Sequence, residues 1–137
     1  MKKIQKILVP LDGSSCSKRA LGVAIELAKD KDITIVGMHV IRMPIKFLSK
    51  TKRQYVHNAK KIIASASAMS KKAGVTFKSK ILSNGYIGKE ITSFAQNNNF
   101  DLMVMGSRGP DPIAEMFLGS VANYVVIKSK IPVMIVK

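Results

Sequence analysis

The amino-acid sequence predicts an α/β domain, a doubly wound parallel sheet of five strands with helices on both faces. Short runs rich in isoleucine, valine and leucine, typical of strands buried on both faces, alternate with segments of helical periodicity. The connections between them are short, and such connections join parallel strands through right-handed crossovers. The 137 residues contain no repeat and no linker, so we expect a single domain over residues 1–137.

The first part of the chain predicts a strand, a helix and a second strand. Residues 4–11 are almost continuously apolar, and serines in the segment 12–15 can cap a following helix. Apolar residues then recur at helical spacing through residues 15–29. The apolar run 33–41 predicts the second buried strand, in which His39 is expected to be a satisfied core residue rather than a metal ligand.

The middle of the chain predicts a long basic helix followed by a strand near the sheet edge. Residues 51–72 form the predicted helix, on which His57 is expected to be solvated, and Gly74 ends it. Residues 75–82 alternate apolar and basic side chains, which is typical of a strand with one exposed face. The apolar residues expected to face the core from the helix are Ala59, Ile62, Ile63, Ala66 and Met69.

The last part of the chain predicts two further helix and strand pairs. Residues 87–96 form a short predicted helix and residues 101–105 the fourth strand. Residues 120–129 form the last predicted helix, and the last strand runs from Ile131 to Val136. The strand methionines expected in the core are Met103, Met105 and Met134.

The charge of the chain is strongly basic and unevenly distributed. Lysine and arginine total 23 against 8 acidic residues, a net charge of +15, and no acidic residue lies between Ile33 and Lys89. Such a field attracts polyanions, so a nucleic-acid or anionic-surface binder that uses residues 33–89 is one hypothesis. No aromatic residues alternate with these charges, as a single-strand binding face requires, and a solvated surface is the favoured interpretation.

A ligand is expected at the loops that follow the strands, because open parallel sheets bind ligands beyond their carboxyl ends, where the strand order reverses. Gly106 follows the fourth strand, Gly109 comes three residues later, and Gly119 with Ser120 opens the last helix. Glycine permits close backbone approach and positive φ, and a helix N-terminus offers free N–H groups to a phosphate. Arg108 is either a further phosphate contact or a solvated loop arginine.

Two better-known phosphate motifs are absent, the P-loop G-x-x-x-x-G-K-[ST] and a G-x-G-x-x-G after the first strand. The chain instead resembles the universal stress proteins, whose nucleotide-binding members carry G-x2-G-x9-G-[ST] after the fourth strand. Gly106, Gly109, Gly119 and Ser120 match this spacing. The flanks VMGSRG and LGSVANYVVIKSKIPVMIVK, the opening ILVPLDGSSCSKRAL and the segment GMHVI resemble the family too, so the resemblance spans the whole chain.

The resemblance implies strand order 3-2-1-4-5, with ATP, alone or with Mg²⁺ or Mn²⁺, in the switch-point crevice. By position it implies that Asp12 lies at the nucleotide, Val40 lines the adenine pocket, and the glycine loop takes the phosphates. The segment Pro-Asp-Pro at 110–112 and Ala122 depart from the family pattern and are expected to weaken binding. The residues expected at the nucleotide are Pro10, Asp12, Val40, Met105, Gly106, Arg108, Gly109, Gly119, Ser120 and Val121.

The sequence indicates binding more strongly than catalysis. It offers no Ser–His–Asp set, no clearly placed pair of carboxylates and no kinase-like lysine, so no catalytic residue is assigned. The favoured interpretation is a regulatory ATP-binding protein whose occupancy is sensed by a partner that the sequence does not specify. The alternative is a weak ATPase of the same fold, in which Asp12 or Asp111 orients a metal ion or water. Asp12 could also cap the first helix, but its position after the first strand favours a ligand role, and the two roles can coexist.

The last strand and the composition predict assembly and location. The family commonly dimerises by pairing last strands, and the apolar strand from Ile131 to Val136 suits this, although Lys130 and Lys137 can equally protect an open edge. Cys16 is the only cysteine and is interpreted as a packing residue. With no targeting segment and no apolar run of about 20 residues, we expect a cytoplasmic protein without a membrane partner.

Overall fold

The computed structural model describes residues 3–42, 49–83, 85–109 and 118–137. Within these residues, strands and helices alternate as the sequence predicts. The elements are β1 (Lys6–Pro10), α1 (Ser15–Ala28), β2 (Thr34–Ile41), α2 (Ser49–Lys72), β3 (Thr76–Ser83), α3 (Ile87–Asn97), β4 (Leu102–Gly106), α4 (Ser120–Lys128) and β5 (Val133–Val136).

The five strands form one parallel sheet in the order β3-β2-β1-β4-β5, which confirms the predicted fold class. Helices cover both faces. Because side chains alternate along a strand, Ile7 and Val9 of β1 join the core built with α1 and α2, whereas Leu8 joins the core built with α3 and α4. The central strand is therefore buried on both faces, which explains its nearly continuous apolar sequence.

The strand order reverses between β1 and β4. From β1 the chain proceeds outward through β2 to β3, then crosses back to β4 on the other side of β1. The connections that leave the carboxyl ends of β1 and β4 therefore diverge, and a crevice opens between them.

Local capping signals act as the sequence predicts. Ser14 is the N-cap of α1, and its hydroxyl accepts a hydrogen bond from the backbone N–H of Ser17 at 3.1 Å. Gly74 follows the end of α2 with φ of +73°, a left-handed conformation that favours glycine. Ser14 thereby sets the start of α1 beside the crevice, and Gly74 sets the end of α2 before the outer strand β3.

Two apolar residues predicted to be buried are exposed instead. Met69 is 40% exposed, and its Cε lies beside Gly22 of α1. Met134 is 38% exposed because β5 is an edge strand, and this strand begins at Val133 rather than at Ile131. The other edge is β3, as predicted. Among the described residues, no helix has the length and apolar character needed to cross a bilayer.

Candidate functional site

A cavity of about 560 Å³ opens at the crevice beyond the carboxyl ends of β1 and β4. We call it the switch-point cavity. Its wall combines the ends of β1, β2 and β4, the start of α4 and side chains from α2 and α3. All the residues that the sequence assigns to a nucleotide lie on this wall: Pro10, Asp12, Val40, Met105, Gly106, Arg108, Gly109, Gly119, Ser120 and Val121.

Hydrogen bonds hold the two ends of the glycine loop together. The backbone N–H of Gly119 donates to the carbonyl oxygen of Ser107 at 2.7 Å. The N–H of Ser107 donates to the carbonyl oxygen of Val136, at the end of β5, at 2.9 Å. The start of α4 is thereby held against the end of β4, and both line one side of the cavity. The Pro-Asp-Pro segment at 110–112 lies outside the described residues.

Gly106 is required for space rather than for an unusual backbone angle. A Cβ atom on Gly106 would lie 3.0 Å from both the backbone carbonyl carbon and the Sγ of Cys16, so glycine lets β4 end against α1. The three described glycines of the motif do not use the positive φ that glycine permits. Gly106, Gly109 and Gly119 do not adopt the left-handed conformation, and Gly119 has φ of −67°.

Asp12 combines the two roles that the sequence leaves open. Its Oδ1 accepts a hydrogen bond from the backbone N–H of Ser14 at 2.8 Å, which shapes the turn into α1. A Cβ atom on Gly109 would lie 3.3 Å from Oδ2, so the glycine loop passes directly beside the same carboxylate. The side chain of Asp12 therefore supports the loop after β1 and faces the loop after β4.

The N-terminus of α4 opens on the cavity without a side-chain cap. Its N-cap is Gly119, and its first turn contains no acidic residue. The first N–H groups of a helix have no partner within the helix and carry its positive dipole end. At α1, by contrast, Ser14 supplies a side-chain acceptor. The start of α4, with the exposed hydroxyl of Ser120, is therefore suited to an anion.

Part of the cavity wall is apolar. Buried side chains from β2, β4 and α4 line this part, among them Met38, Val40, Met105 and Ala122. His39 is half-buried, and its Nδ1 lies 2.7 Å from the carbonyl oxygen of Leu11. Because a carbonyl oxygen only accepts, Nδ1 carries the proton. This agrees with the interpretation of His39 as a satisfied residue.

The helices contribute wall residues that sequence reasoning missed. Tyr55 and Asn58 come from α2, and Ile87 and Ile91 come from α3. No motif marks them. Both helices follow the carboxyl ends of strands, so the topology brings their N-terminal halves to the cavity.

Cys16 is buried between α1 and the glycine loop. Its Sγ lies 3.6 Å from the Ser107 hydroxyl and 3.4 Å from the carbonyl oxygen of Val136. Burial raises the pKa of the Cys16 thiol. Hydrogen bonding to the backbone of Arg108 and to Ser107, with the charge of Arg19, outweighs burial and leaves the pKa below its ordinary value. The described residues include no cluster of three or more His, Cys, Asp or Glu that suits a metal ion.

The sheet order and the glycine loop at the switch point define a doubly wound α/β protein of the type that binds ligands at its strand ends. The model of the universal stress protein family matches residues 3–137. The chain therefore belongs to the universal stress protein family.

Several known relatives share most of their length with this chain. Universal stress protein YxiE of Bacillus subtilis is 32% identical, covering 96% of this chain and 98% of the relative. The structure of MJ0577 from Methanocaldococcus jannaschii has a TM-score of 0.87 at 29% identity, covering 97% of this chain and 95% of that one. The universal stress protein of Archaeoglobus fulgidus, in complex with dAMP, has a TM-score of 0.77 at 21% identity with full coverage of both chains.

Proposed function

We propose that this protein binds ATP in the switch-point cavity and acts as a regulatory nucleotide-binding protein. One observation carries the proposal. Ten residues assigned from sequence, drawn from four separate segments, line a single cavity of about 560 Å³. The nucleotide complex of the A. fulgidus relative gives independent support for an adenine nucleotide as the ligand class.

The polarity of the cavity suggests how the nucleotide lies. Adenine would lie against the apolar part of the wall, beside Val40 and Met105. The phosphates would meet the backbone of the glycine loop, the free N–H groups of α4 and the hydroxyl of Ser120. Arg108, half-buried on the same wall, adds a positive charge for the outer phosphates. A triphosphate uses these groups more fully than a monophosphate does.

Mg²⁺ or Mn²⁺ would enter with the phosphates of ATP. Asp12 is the carboxylate beside the loop, and its Oδ2 lies on the side of Gly109. A metal ion between Asp12 and the phosphates would take oxygen ligands from both, as these hard cations prefer. We assign the metal to the ligand rather than to a preformed protein site.

We propose that occupancy, rather than turnover, is the signal. Asp12, His39 and Tyr55 are wall residues whose types commonly exchange protons in catalysis, and Asp12 and His39 already hold backbone groups. Their hydrogen bonds suit a role in holding the backbone around the ligand rather than in transferring protons. A weak ATPase activity remains the alternative, and phosphate release at the rate of a dedicated enzyme would favour it.

We further propose a homodimer formed through β5, acting in the cytoplasm with a partner protein that senses occupancy. Met134 on this edge strand is 38% exposed, and the neighbouring α4 exposes Val126 and Ile127 at 44% and 67%. Apolar side chains grouped beside an open strand edge are typical of a self-association surface. The free thiol of Cys16 suits a reducing compartment.

The first test is calorimetric titration of ATP with Mg²⁺ or Mn²⁺ at moderate salt. The variant Gly119→Val places a branched side chain at the phosphate end. A Cβ at this position would meet its nearest described neighbour, the carbonyl oxygen of Ser107, at an ordinary 3.4 Å. We expect micromolar binding by the native protein and a loss of at least about tenfold in the variant.

The matched control is Gly22→Ala, a glycine substitution in α1 outside the cavity wall. It should bind ATP like the native protein. Absence of binding by the native protein, or equal binding by Gly119→Val, would contradict the proposed site. Circular dichroism of each variant confirms that the fold is retained.

A further inference from the structure

A second and larger concavity lies on the α1 and α2 side of the glycine loop. Its volume is about 1190 Å³, and it shares Asp12, Ser107, Arg108 and Gly109 with the wall of the switch-point cavity. We call it the basic groove, after the five cationic residues that line it: Lys18, Arg19, Lys61, Arg108 and Lys137.

Among the described residues, the cationic side chains of the basic groove outnumber the acidic ones on its wall. One of the cations, Arg19, donates through Nε to a main-chain oxygen on the same wall at 3.0 Å. Asp12 is the acidic residue on the described wall, and its Oδ1 already accepts from the backbone of Ser14. The first turn of α1, which lines the groove, contains no acidic residue. Lys18 and Lys61 are exposed on facing helices and converge on one concave surface. Like charges held this way repel each other, and an anion between them relieves that repulsion.

The chemistry of the wall favours phosphate groups over nucleic-acid bases. Hydroxyl and amide groups of Ser15, Asn58 and Ser65 are exposed between the cations and can donate hydrogen bonds. The described wall includes no aromatic side chain, so unpaired bases would find no stacking surface there. A chain of phosphates without bases matches these donors and charges.

We propose that the basic groove binds a linear condensed phosphate as a second ligand, beside the nucleotide. The placement of the nucleotide in the neighbouring cavity rests on the proposed function, whereas the groove itself does not. Arg108 and Gly109 belong to both walls, so the two ligands would lie on opposite sides of one loop segment.

The test uses tripolyphosphate as the probe, titrated calorimetrically without divalent metal at several salt concentrations. Lys61→Glu reverses a charge on the groove wall. Its control is Lys60→Glu, the neighbouring exposed lysine of α2, which lies off the wall and changes the net charge equally. We expect Lys61→Glu to weaken tripolyphosphate binding by about tenfold or more, and Lys60→Glu by less than about threefold.

A second pair of titrations separates the groove from the nucleotide site. Gly119→Val should retain tripolyphosphate binding, and Lys61→Glu should retain ATP binding, because each residue lies on only one of the two walls. Suppose that Gly119→Val leaves ATP binding unchanged while Lys61→Glu weakens tripolyphosphate binding. The proposed nucleotide site would then be contradicted, and the groove proposal would be supported.

Four outcomes would overturn the groove proposal. Tripolyphosphate could fail to bind the native protein. Lys60→Glu and Lys61→Glu could weaken it equally, which would indicate diffuse attraction to the surface. Gly119→Val could abolish it, which would place the phosphate chain on the glycine loop. A single-stranded oligonucleotide could displace it at lower phosphate concentration, which would assign the groove to nucleic acid.

Discussion

The hydrogen bond from His39 Nδ1 to the carbonyl oxygen of Leu11 fixes the residue that immediately precedes Asp12. We expect His39→Ala to lower the free energy of unfolding by about 1–3 kcal/mol, because Leu11 is buried and its carbonyl group would lose this partner. The control His57→Ala, on an exposed position of α2, should change it by less than about 0.5 kcal/mol. Urea unfolding monitored by circular dichroism measures the free energy of unfolding of both variants. Equal changes in the two would show that the His39 hydrogen bond does not stabilise the fold.

Single residues also mark where sequence reasoning stops. The glycine spacing identifies the loop that lines the switch-point cavity, but the reason for Gly106 is its contact with Cys16, a residue from the other end of the chain. Local sequence cannot reveal such a contact. Tyr55 and Asn58 illustrate the same limit, because they reach the cavity wall through the docking of α2 and not through any motif.

At the scale of the elements, the end of α2 and the middle of α1 give a matched pair of glycine substitutions. Gly74→Ala should destabilise the protein by about 1 kcal/mol, because Gly74 has φ of +73° while no neighbouring atom would obstruct the new methyl group. Gly22→Ala should instead stabilise it by about 0.5–1 kcal/mol, since it lies within a helix and its Cβ would meet Met69 at an ordinary 3.6 Å. Denaturant unfolding measures both, and two changes of the same sign would contradict this account.

The edge strand β5 makes the proposed dimer testable. Met134→Glu and Ile127→Glu each place a carboxylate on the exposed apolar surface beside β5, and each should raise the dimer dissociation constant by at least about tenfold. Met69→Glu is the control, because Met69 is equally exposed but lies on α2. Analytical ultracentrifugation over a concentration series gives the association state. A native protein that stays monomeric, or variants that dimerise like the control, would exclude this interface.

The elements themselves follow from the sequence to within about two residues at each end, since apolar periodicity differs clearly between strands and helices. Which side chains of an element are buried is harder to predict from the sequence. Met69 continues the apolar spacing of α2 and Met134 that of β5, yet both are exposed. Whether a side chain is covered depends on the neighbouring elements, and β5 lies at the edge of the sheet that the described residues form.

The whole molecule carries a net charge of +15, which should make its stability depend on salt. We expect sodium chloride, raised from low to moderate concentration, to add about 1 kcal/mol to the free energy of unfolding, or roughly 3–5 °C in Tm, as repulsion between lysines is screened. The double variant Lys71→Glu/Lys72→Glu lowers the net charge from 15 to 15 − 4 = 11 and should show a weaker salt dependence. Calorimetric melting of both proteins tests this, and a native Tm that is insensitive to salt would contradict it.

The global topology is predictable because alternating strands and helices with short connections leave few arrangements. The position of a charged site on the surface cannot be predicted in the same way. The sequence shows an excess of lysine in its middle third. The basic groove, however, is lined by Lys18 and Arg19 of α1 and by Lys61 of α2, whereas the neighbouring Lys60 lies off its wall. Cationic residues form a binding site only where the packing of the helices brings them to one concave surface.

The carbonyl group of Val136 has a consequence for how the molecule could transmit a signal. This single oxygen, at the end of β5, accepts from the N–H of Ser107 at the start of the glycine loop and from the thiol of Cys16. The edge that the proposed dimer uses and the loop that the proposed nucleotide uses thus share one acceptor. Thermodynamic linkage makes any coupling through it reciprocal: the factor by which nucleotide changes self-association equals the factor by which self-association changes nucleotide affinity.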